Sequence, residues 1–427
     1  MNEIKPFFGW RYNPEVVDLA EVMAPPYDIV TPEEQEAYLQ KNPYNVFHLE
    51  LGRIEPHDSE TENRYTRARL FWEKWRQEGI LIREKEPALY LYRLRFFWQG
   101  RSLVRRGIIG LIRLAPWESG LIRPHEKTFS QVTADRLNLL RATRAQFSQI
   151  FCLYHDQTLK SIQSLEEKAE TIFQVPDSQG FIHELARVTS PEVQQVVAEV
   201  FQKEVLYIAD GHHRYTTALA YMKEMENQFG AQPPRCFHYV MMYLCPFEEP
   251  GLLVLPTHRL IKLDLEEKAL IRKLSAFGEF EPFNEKEEIF KRLEGLCPGE
   301  FLLVSKDKIF LFKPRERMLA RFRERLAGPL KRLPVALFTS LLKEALDLEE
   351  ARLKEAERLI YTPWVEEILE KAPKGWFGFL LPATHVSALQ EVADAGLVMP
   401  HKSTFFFPKI LTGTVFFEIL PNQGPPC

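Results

Sequence analysis

Residues 210–214 bring together side chains that could bind a phosphate: Asp210, Gly211, His212, His213 and Arg214. A glycine lets a ligand approach the backbone closely. The first turn of a following helix presents unpaired N–H groups at the positive end of its dipole. Arg214 adds a planar guanidinium that matches phosphate geometry, and the two histidines supply further donors. The segment therefore predicts an anion site at the start of a helix.

The same residues also allow a purely structural interpretation. Asp210 would then cap the helix, and the two histidines and Arg214 would form its solvated first turn. However, three side chains that can carry positive charge are unfavourable at the positive end of a helix dipole unless an anion is bound there. This mismatch favours a phosphate or carboxylate ligand, and Asp210 could also approach a phosphate-bound Mg²⁺.

The elements that must position these residues follow from local sequence patterns. An apolar run at 205–209 predicts a strand, Asp210 and Gly211 interrupt it, and helical spacing resumes over 212–225. Upstream, strands over 88–98 and 103–114 are predicted to form a hairpin that turns at Gln99 and Gly100. Further helices are predicted over 61–78, 134–147, 160–173, 191–202 and 386–395, and further strands over 150–154, 237–244, 252–256, 301–305, 309–312, 376–381 and 414–420.

The alternation of these elements predicts an α/β protein of mixed α+β character. A chain of 427 residues suggests two or three domains. We expect an N-terminal α+β region with the hairpin at 1–118 and a phosphate-binding core at 119–262. An inserted α/β subdomain is expected at 263–346, and a C-terminal segment at 347–427 is expected to complete the fold.

Composition excludes several classes of protein. The apolar share of 45% and the charged share of 27% are those of an ordinary globular protein. The net charge of −4 argues against a protein that coats nucleic acid. No apolar stretch approaches the roughly 18 residues that a membrane-spanning helix needs, and the N-terminus does not resemble a signal peptide. We therefore expect a cytoplasmic protein with no membrane association.

Zinc sites and disulfides are not expected. His125-Glu126 and His183-Glu184 each begin a His-Glu-x-x-His pattern, but neither has the second histidine. The five cysteines are scattered and form no Cys-x-x-Cys pair, which predicts reduced thiols.

The predicted hairpin is rich in arginine, and residues 88–116 contain no acidic residue. One interpretation is a binding surface for single-stranded nucleic acid, with Tyr90, Tyr92, Phe96 and Trp98 stacking on bases. The alternation of side chains along a hairpin favours a solvated sheet face instead. The arginines concerned are Arg93, Arg95, Arg101, Arg105, Arg106 and Arg113.

The strand, Asp-Gly-His-His-Arg-Tyr and helix succession resembles the phosphate-binding signature of the ParB/sulfiredoxin superfamily. Gly211, His213, Arg214 and Tyr215 match the Gly-Cys-His-Arg-Tyr of sulfiredoxins. The sulfiredoxin cysteine falls on His212, so sulfinic acid reduction is not expected. ParB proteins carry Gly-Glu-Arg-Arg and match only at the glycine and the last arginine. The Asp-Gly pair most resembles the branch that includes a free-serine kinase.

Upstream residues extend this resemblance. The stretch 121–128 and the helix from Ala134 resemble the superfamily's opening loop and helix. In the kinase branch a glutamate in this region is the general base. By motif position this residue is Glu126, with His125 as a neighbouring catalytic candidate. A surface carboxylate in a loop is the alternative interpretation of Glu126.

Over its whole length the chain resembles the prokaryotic family called domain of unknown function 1015. The resemblance makes Arg136, Lys402, Ser403 and Lys409 candidate contacts to substrate or phosphate. The segment that carries the two lysines could instead simply pin a C-terminal loop. The matching landmarks are Ala24–Asp28, Asn42–Asn45, Pro124–Thr128, Asp135–Arg136, Asp210–Tyr215, Met399–Thr404 and Pro408–Lys409.

Together, the residues and the resemblance imply a nucleotide-dependent phosphotransferase or nucleotide hydrolase. The nucleotide would be ATP, ADP or CTP, with or without Mg²⁺, and the acceptor a small hydroxyl compound such as an amino acid. One alternative is a non-catalytic nucleotide-binding switch of ParB type. Another is a nucleic-acid-binding protein, which the net charge disfavours. The base, the acceptor and the oligomeric state are not specified by the sequence.

Overall fold

The structure is a computed structural model that describes the backbone of residues 1–427 and every side chain except that of Lys286. It is a mixed α/β structure, which confirms the predicted class. The chain forms two compact units. Unit 1 comprises residues 1–124, 128–252 and 408–427, and unit 2 comprises residues 125–127 and 253–407.

Unit 1 is built on a large mixed sheet with strand order β6-β11-β8-β12-β5-β4-β10-β9, and β1 pairs with β5. Unit 1 also contains the two-stranded sheets β2–β3 and β7–β21. The strands of this unit are β1 Ile4–Lys5, β2 Trp10–Tyr12, β3 Leu81–Arg83, β4 Leu89–Trp98, β5 Arg101–Arg113, β6 Ile122–Arg123, β7 Ala145–Gln146, β8 Ile150–Tyr154, β9 Glu170–Pro176, β10 Ile182–Val188, β11 Leu206–Asp210, β12 Tyr239–Pro246 and β21 Phe417–Glu418. Its helices are α1 Leu19–Val22, α2 Pro32–Lys41, α3 Phe47–Glu50, α4 Arg64–Gln77, α5 Ser130–Thr143, α6 Lys160–Glu166, α7 Pro191–Phe201 and α8 His212–Phe229.

The strands β8, β11 and β12 contribute the most continuously buried segments of unit 1. Every residue of β8 and β12 is buried, as are the first four residues of β11. Such continuous apolar runs are typical of strands covered on both faces. Tyr215, Ala218 and Leu219 of α8 recur at helical spacing and pack on these strands. This packing fixes the start of α8 at the end of β11.

Unit 2 is built on an antiparallel sheet with strand order β15-β17-β16-β19-β14-β18. Its strands are β13 Leu253–Leu255, β14 His258–Ile261, β15 Gly278–Pro282, β16 Phe301–Ser305, β17 Lys308–Pro314, β18 Leu359–Thr362, β19 Phe377–Leu380 and β20 Phe405–Phe407. Its helices are α9 Glu267–Leu274, α10 Ile289–Glu294, α11 Glu316–Arg325, α12 Pro334–Leu346, α13 Glu350–Glu355, α14 Val365–Lys371 and α15 Val386–Asp394.

Several features differ from the sequence predictions. The predicted helix over 160–173 ends at Glu166, because Phe173 and Val175 alternate with polar residues and bury one face of β9. The prediction of reduced thiols is wrong for Cys236 and Cys427, which form a disulfide.

The two units also divide the chain at other places than the four predicted segments. Strands from the predicted segments 1–118 and 119–262 share one sheet, because β5 pairs with β12. Residues 408–427 return to this unit. Among the described residues, no helix is both long and apolar enough to cross a membrane.

Candidate functional site

The predicted anion site lies where β11 ends and α8 begins. Gly211 is at the N-cap of α8 with φ +95°, in the left-handed region that favours glycine. In the part of the chain that the structure describes, no side chain caps this helix. A Cβ atom on Gly211 would lie 3.0 Å from both Nε and Nη2 of Arg214. Glycine is therefore required here both for the backbone conformation and for space.

Three charged side chains meet beside this turn. The Nζ of Lys409 donates to Oδ2 of Asp210 at 2.8 Å, and Nη2 of Arg214 lies 3.8 Å from Oδ1. All three side chains are mostly buried. Among these three side chains, two cations outnumber one carboxylate at the positive end of the α8 dipole, and Asp28 and Glu50 also act electrostatically on Arg214. This charge balance attracts an anion.

Arg214 is also held by a backbone contact. Its Nη1 donates to the backbone oxygen of Gln149. Its Nε is buried and has no hydrogen-bond partner among the described residues. Burial disfavours the charged guanidinium, but Asp210 and more distant acidic groups outweigh this effect, so the pKa of Arg214 is raised. The side chain therefore remains a cation next to Gly211.

The two histidines have different surroundings. His213 accepts a hydrogen bond from the backbone N–H of Phe129 through Nε2 at 3.0 Å, and its ring stacks on that of Phe129. His212 is buried. His213 thus links the start of α5 to the first turn of α8.

Arg136 lines the same cavity as Arg214. Its side chain is buried, and its nitrogens donate to the carboxylate of Asp135 and to the backbone oxygen of Glu50, at 2.8 Å for the latter. Its guanidinium also lies 4.3 Å from the ring centre of Tyr27. These contacts tie the N-terminal landmark to α5, and the predicted contact of Arg136 with substrate or phosphate stays a prediction.

The remaining predicted residues belong to unit 2. The side chain of His125 is buried, and its Nε2 lies 3.3 Å from Oγ1 of Thr404 and 4.0 Å from Oε1 of Glu126. Its backbone oxygen accepts from the N–H of Met399 at 2.8 Å. The carboxylate of Glu126 retains partial exposure. His125 therefore lies near Glu126, beyond hydrogen-bond distance, and does not itself face solvent.

Lys402 and Ser403 lie in a tightly held segment of unit 2. Lys402 has φ +51°, and Oγ of Ser403 donates to the backbone oxygen of Pro400 at 2.6 Å. The buried guanidinium of Arg259 donates to the backbone oxygens of His401 and Lys402, each at 3.3 Å. These contacts fit the alternative interpretation, in which the segment pins a C-terminal loop. A direct role in substrate or phosphate binding stays a prediction.

The arginines of the β4–β5 hairpin are mostly neutralised within unit 1. Arg95 pairs with a carboxylate at 3.0 Å, Arg106 pairs with Glu249 at 2.9 Å, and Arg105 is buried. Tyr90 and Tyr92 are buried as well. Most of these arginines and both tyrosines are therefore paired or buried, and the nucleic-acid interpretation of the hairpin stays a prediction.

Arg105 and Tyr92 are site-supporting residues that the sequence did not single out for this role. Nη2 of Arg105 donates to the backbone oxygen of Pro408 at 2.6 Å, and the hydroxyl of Tyr92 accepts from the N–H of Leu411 at 3.2 Å. Both contacts hold the segment that carries Lys409. No local signal distinguished Arg105, because Arg106 follows it directly and the pattern does not show which of the two is buried.

The described side chains do not include a cluster suited to a metal ion. Among the described residues, no group of three or more histidine, cysteine, aspartate or glutamate side chains is arranged to hold a metal ion. Asp210 is the acidic side chain at the turn, and its carboxylate is bound by Lys409.

The charges at the turn predict how two substitutions change the affinity for pyrophosphate. Lys409→Met should weaken pyrophosphate binding about tenfold or more, because a hydrogen bond to a charged group contributes about 1.5–3 kcal/mol. Asp210→Asn removes the only carboxylate among these three side chains and should leave metal-free pyrophosphate binding unchanged or tighter. Isothermal titration calorimetry measures both, with Lys203→Met on an exposed lysine as the control. Equal losses in the two site variants would contradict the charge balance.

A family model described as Protein of unknown function (DUF1015) matches residues 4–336. The chain belongs to this family. The resemblance inferred from the sequence landmarks is thereby confirmed. The landmarks at 399–404 and 408–409 lie beyond the matched residues.

Solved structures show weaker similarity. A free serine kinase variant in complex with ADP is 14% identical, with 70% of this chain and 88% of that chain covered and a TM-score of 0.37. A conserved hypothetical protein from Pyrococcus furiosus is 15% identical, with 68% and 89% covered and a TM-score of 0.34. SbnI with a C-terminal truncation, from Staphylococcus aureus, is 9% identical, with 71% and 85% covered and a TM-score of 0.36. No curated protein has a significantly similar sequence. These values are too low to assign a function, so the chemistry of the site is inferred from its own residues.

Proposed function

We propose that the turn between β11 and α8 binds the phosphates of a nucleotide, and that the protein transfers a phosphoryl group to a small hydroxyl compound or to water. The observation that carries this proposal is the net positive charge of Asp210, Arg214 and Lys409 at the uncapped start of α8. A polyanion neutralises that charge and satisfies the first-turn N–H groups. The nucleotide would be ATP, ADP or CTP.

Each side chain at the turn has a role in this proposal. Gly211 lets the phosphate approach the backbone, while Lys409 and Arg214 neutralise phosphate oxygens. In phosphoryl transfer the protein contributes mainly by positioning the reactants and stabilising charge, so these roles match the chemistry. The bound nucleotide supplies the phosphoryl group, and Asp210 is the side chain there that could hold a nucleotide-bound Mg²⁺.

Glu126 is proposed as the general base on the basis of its motif position. Its carboxylate would accept the proton of the acceptor hydroxyl as the new oxygen–phosphorus bond forms. The buried His125 is then a positioning residue, since its Nε2 lies 4.0 Å from Oε1 of Glu126. Arg136 lines the same cavity as Arg214 and remains a candidate phosphate contact in this proposal.

A ligand panel tests the proposal whatever the acceptor is. Thermal unfolding is measured with ATP, ADP, CTP, GTP and pyrophosphate, each with and without Mg²⁺. A ligand at about a hundred times its Kd should stabilise the protein by about 2.7 kcal/mol. Binding should weaken as salt is added, because phosphate recognition here is electrostatic. Failure of every phosphate compound to stabilise the protein would reject the proposal.

Phosphorus NMR with the ligand that binds separates the enzyme from its main alternative. Formation of a phosphorylated hydroxyl compound, or of free phosphate, establishes a transferase or a hydrolase. Saturable binding with no product over many hours would favour a nucleotide-dependent switch instead.

A further inference from the structure

A buried chain of hydrogen bonds in unit 1 connects the turn before β10 to the segment that carries Lys409. Nε2 of His183 lies 3.1 Å from Oδ2 of Asp177, and Nδ1 lies 2.5 Å from the hydroxyl of Tyr92. The same hydroxyl oxygen lies 3.2 Å from the backbone nitrogen of Leu411. Tyr92 and His183 are 1% and 0% exposed, so water does not substitute for these contacts.

The direction of every hydrogen bond in this chain is determined. Burial raises the pKa of Asp177, but the bond from His183 and other donors outweigh it, so the pKa is lowered and the carboxylate accepts. Burial lowers the pKa of His183 against the opposing effect of Asp177, while Arg105 lowers it further. His183 is therefore neutral, with its proton on Nε2. Its Nδ1 then accepts from the hydroxyl of Tyr92, and the Tyr92 oxygen accepts from the N–H of Leu411.

A second buried contact holds the other end of the same segment. Arg105 donates to the backbone oxygen of Pro408, and its guanidinium lies over the rings of Phe151 and Tyr243. Lys409 is thus one of four consecutive residues whose two ends are fixed by side chains of the β4–β5 hairpin. A lysine has a long and flexible side chain. Fixing its backbone reduces the entropy lost when its Nζ binds at one place.

We propose that Asp177, His183 and Tyr92 form a positioning relay that sets Lys409 against Asp210 and thereby sets the affinity of the turn for nucleotide phosphates. This inference rests on the proposed function. None of the three residues is a catalytic residue, since each acts through the backbone of the segment 408–411. The relay also gives a role to His183, which the sequence had offered only as half of a zinc motif.

Tyr92→Phe and Tyr90→Phe form a matched pair for testing the relay. Tyr90 is two residues earlier on β4 and equally buried, and its hydroxyl also accepts from a backbone N–H, that of Gly9 at 3.1 Å. Each variant leaves one buried N–H without its acceptor, and Tyr92→Phe also leaves Nδ1 of His183 without its donor, so Tyr92→Phe should lose more stability than Tyr90→Phe. Only Tyr92→Phe should raise the Kd for pyrophosphate, by about fivefold, which is within the range of coupling inside one hydrogen-bond network. Equal Kd values in the two variants would overturn the relay.

A double-mutant cycle with Lys409→Met shows whether the effect acts through Lys409. In the Lys409→Met background, Tyr92→Phe should change the Kd for pyrophosphate by less than about twofold. Full additivity of the two effects would overturn the relay, because the tyrosine would then act by another route.

Hydrogen exchange provides a measurement that does not depend on the proposed function. Tyr92→Phe should speed amide exchange in the peptide covering 408–411, while Tyr90→Phe should not. Unchanged exchange in Tyr92→Phe would overturn the relay even if nucleotides bind. If no phosphate compound binds the wild-type protein, the proposed function fails, and the exchange result still decides whether the relay holds the segment.

Discussion

Gly211→Ala is expected to abolish nucleotide binding, with a loss in affinity of at least about a hundredfold, as two charged hydrogen bonds of about 1.5–3 kcal/mol each are removed. A Cβ atom would lie 3.0 Å from the Arg214 guanidinium, so the guanidinium would have to shift away from the turn. Alanine is also unfavourable at φ +95° by about 1–2 kcal/mol, so the turn itself would change. Both effects move the first-turn amides and Arg214 away from the phosphate.

Gly230→Ala is the matched control for this substitution. Gly230 ends the same helix with φ +80°, but a Cβ atom there meets no neighbour within 4 Å. It should cost at least as much stability, because Gly230 has ψ 156°, while leaving the Kd for ADP unchanged. Calorimetric titration of both variants, with thermal unfolding to confirm folding, measures this contrast. Normal ADP affinity in a folded Gly211→Ala protein would remove the site from the turn.

Glu126→Gln is expected to lower turnover by about a hundredfold or more while nucleotide affinity stays unchanged. Glutamine has the shape of glutamate but cannot accept a proton at neutral pH, and a positioned general base contributes about 10²–10⁴ to the rate. The measurement is turnover and Kd in the same preparation, with the phosphorylated product followed by phosphorus NMR.

Glu118→Gln, at an exposed position near the end of β5, is the control for removal of one surface carboxylate. It should retain full turnover. Retention of full turnover by Glu126→Gln would reject the general-base assignment without affecting the phosphate site, because the two rest on different residues.

Local sequence patterns predicted the end of β11, the turn at Gly211 and the start of α8. The apolar run before Asp210, the glycine after it and the helical spacing that follows are all contiguous in sequence. Their conformations follow from burial and from the steric freedom of Gly211. The start of α8 was therefore predicted at His212, where the structure has it.

Long-range contacts account for what the sequence could not predict. Lys409 was a candidate only through the family resemblance, and its partner Asp210 is 199 residues away in the chain. Arg105 was grouped with solvated arginines, because alternation along a strand does not reveal that its partner is the backbone oxygen of Pro408. Such pairings depend on which strands are neighbours, and no local pattern encodes that.

The assignments of Arg136 and His125 show a related limit. A motif position indicates that a residue type matters but not whether its side chain faces a ligand. The nitrogens of Arg136 donate to Asp135 and Glu50 inside the protein, and His125 is buried 4.0 Å from Glu126. The surroundings of both side chains depend on the packing of the folded chain, which a motif does not describe.

Backbone amide NMR of protein carrying isotope-labelled histidine tests the phosphate site most directly. His212 and His213 provide two first-turn amides of α8, and His57 and His155 lie elsewhere in unit 1. On titration with ADP, the amide signals of His212 and His213 should shift saturably with the calorimetric Kd, while those of His57 and His155 stay in place. Saturable ADP binding that leaves the His212 and His213 amides unmoved would contradict the account.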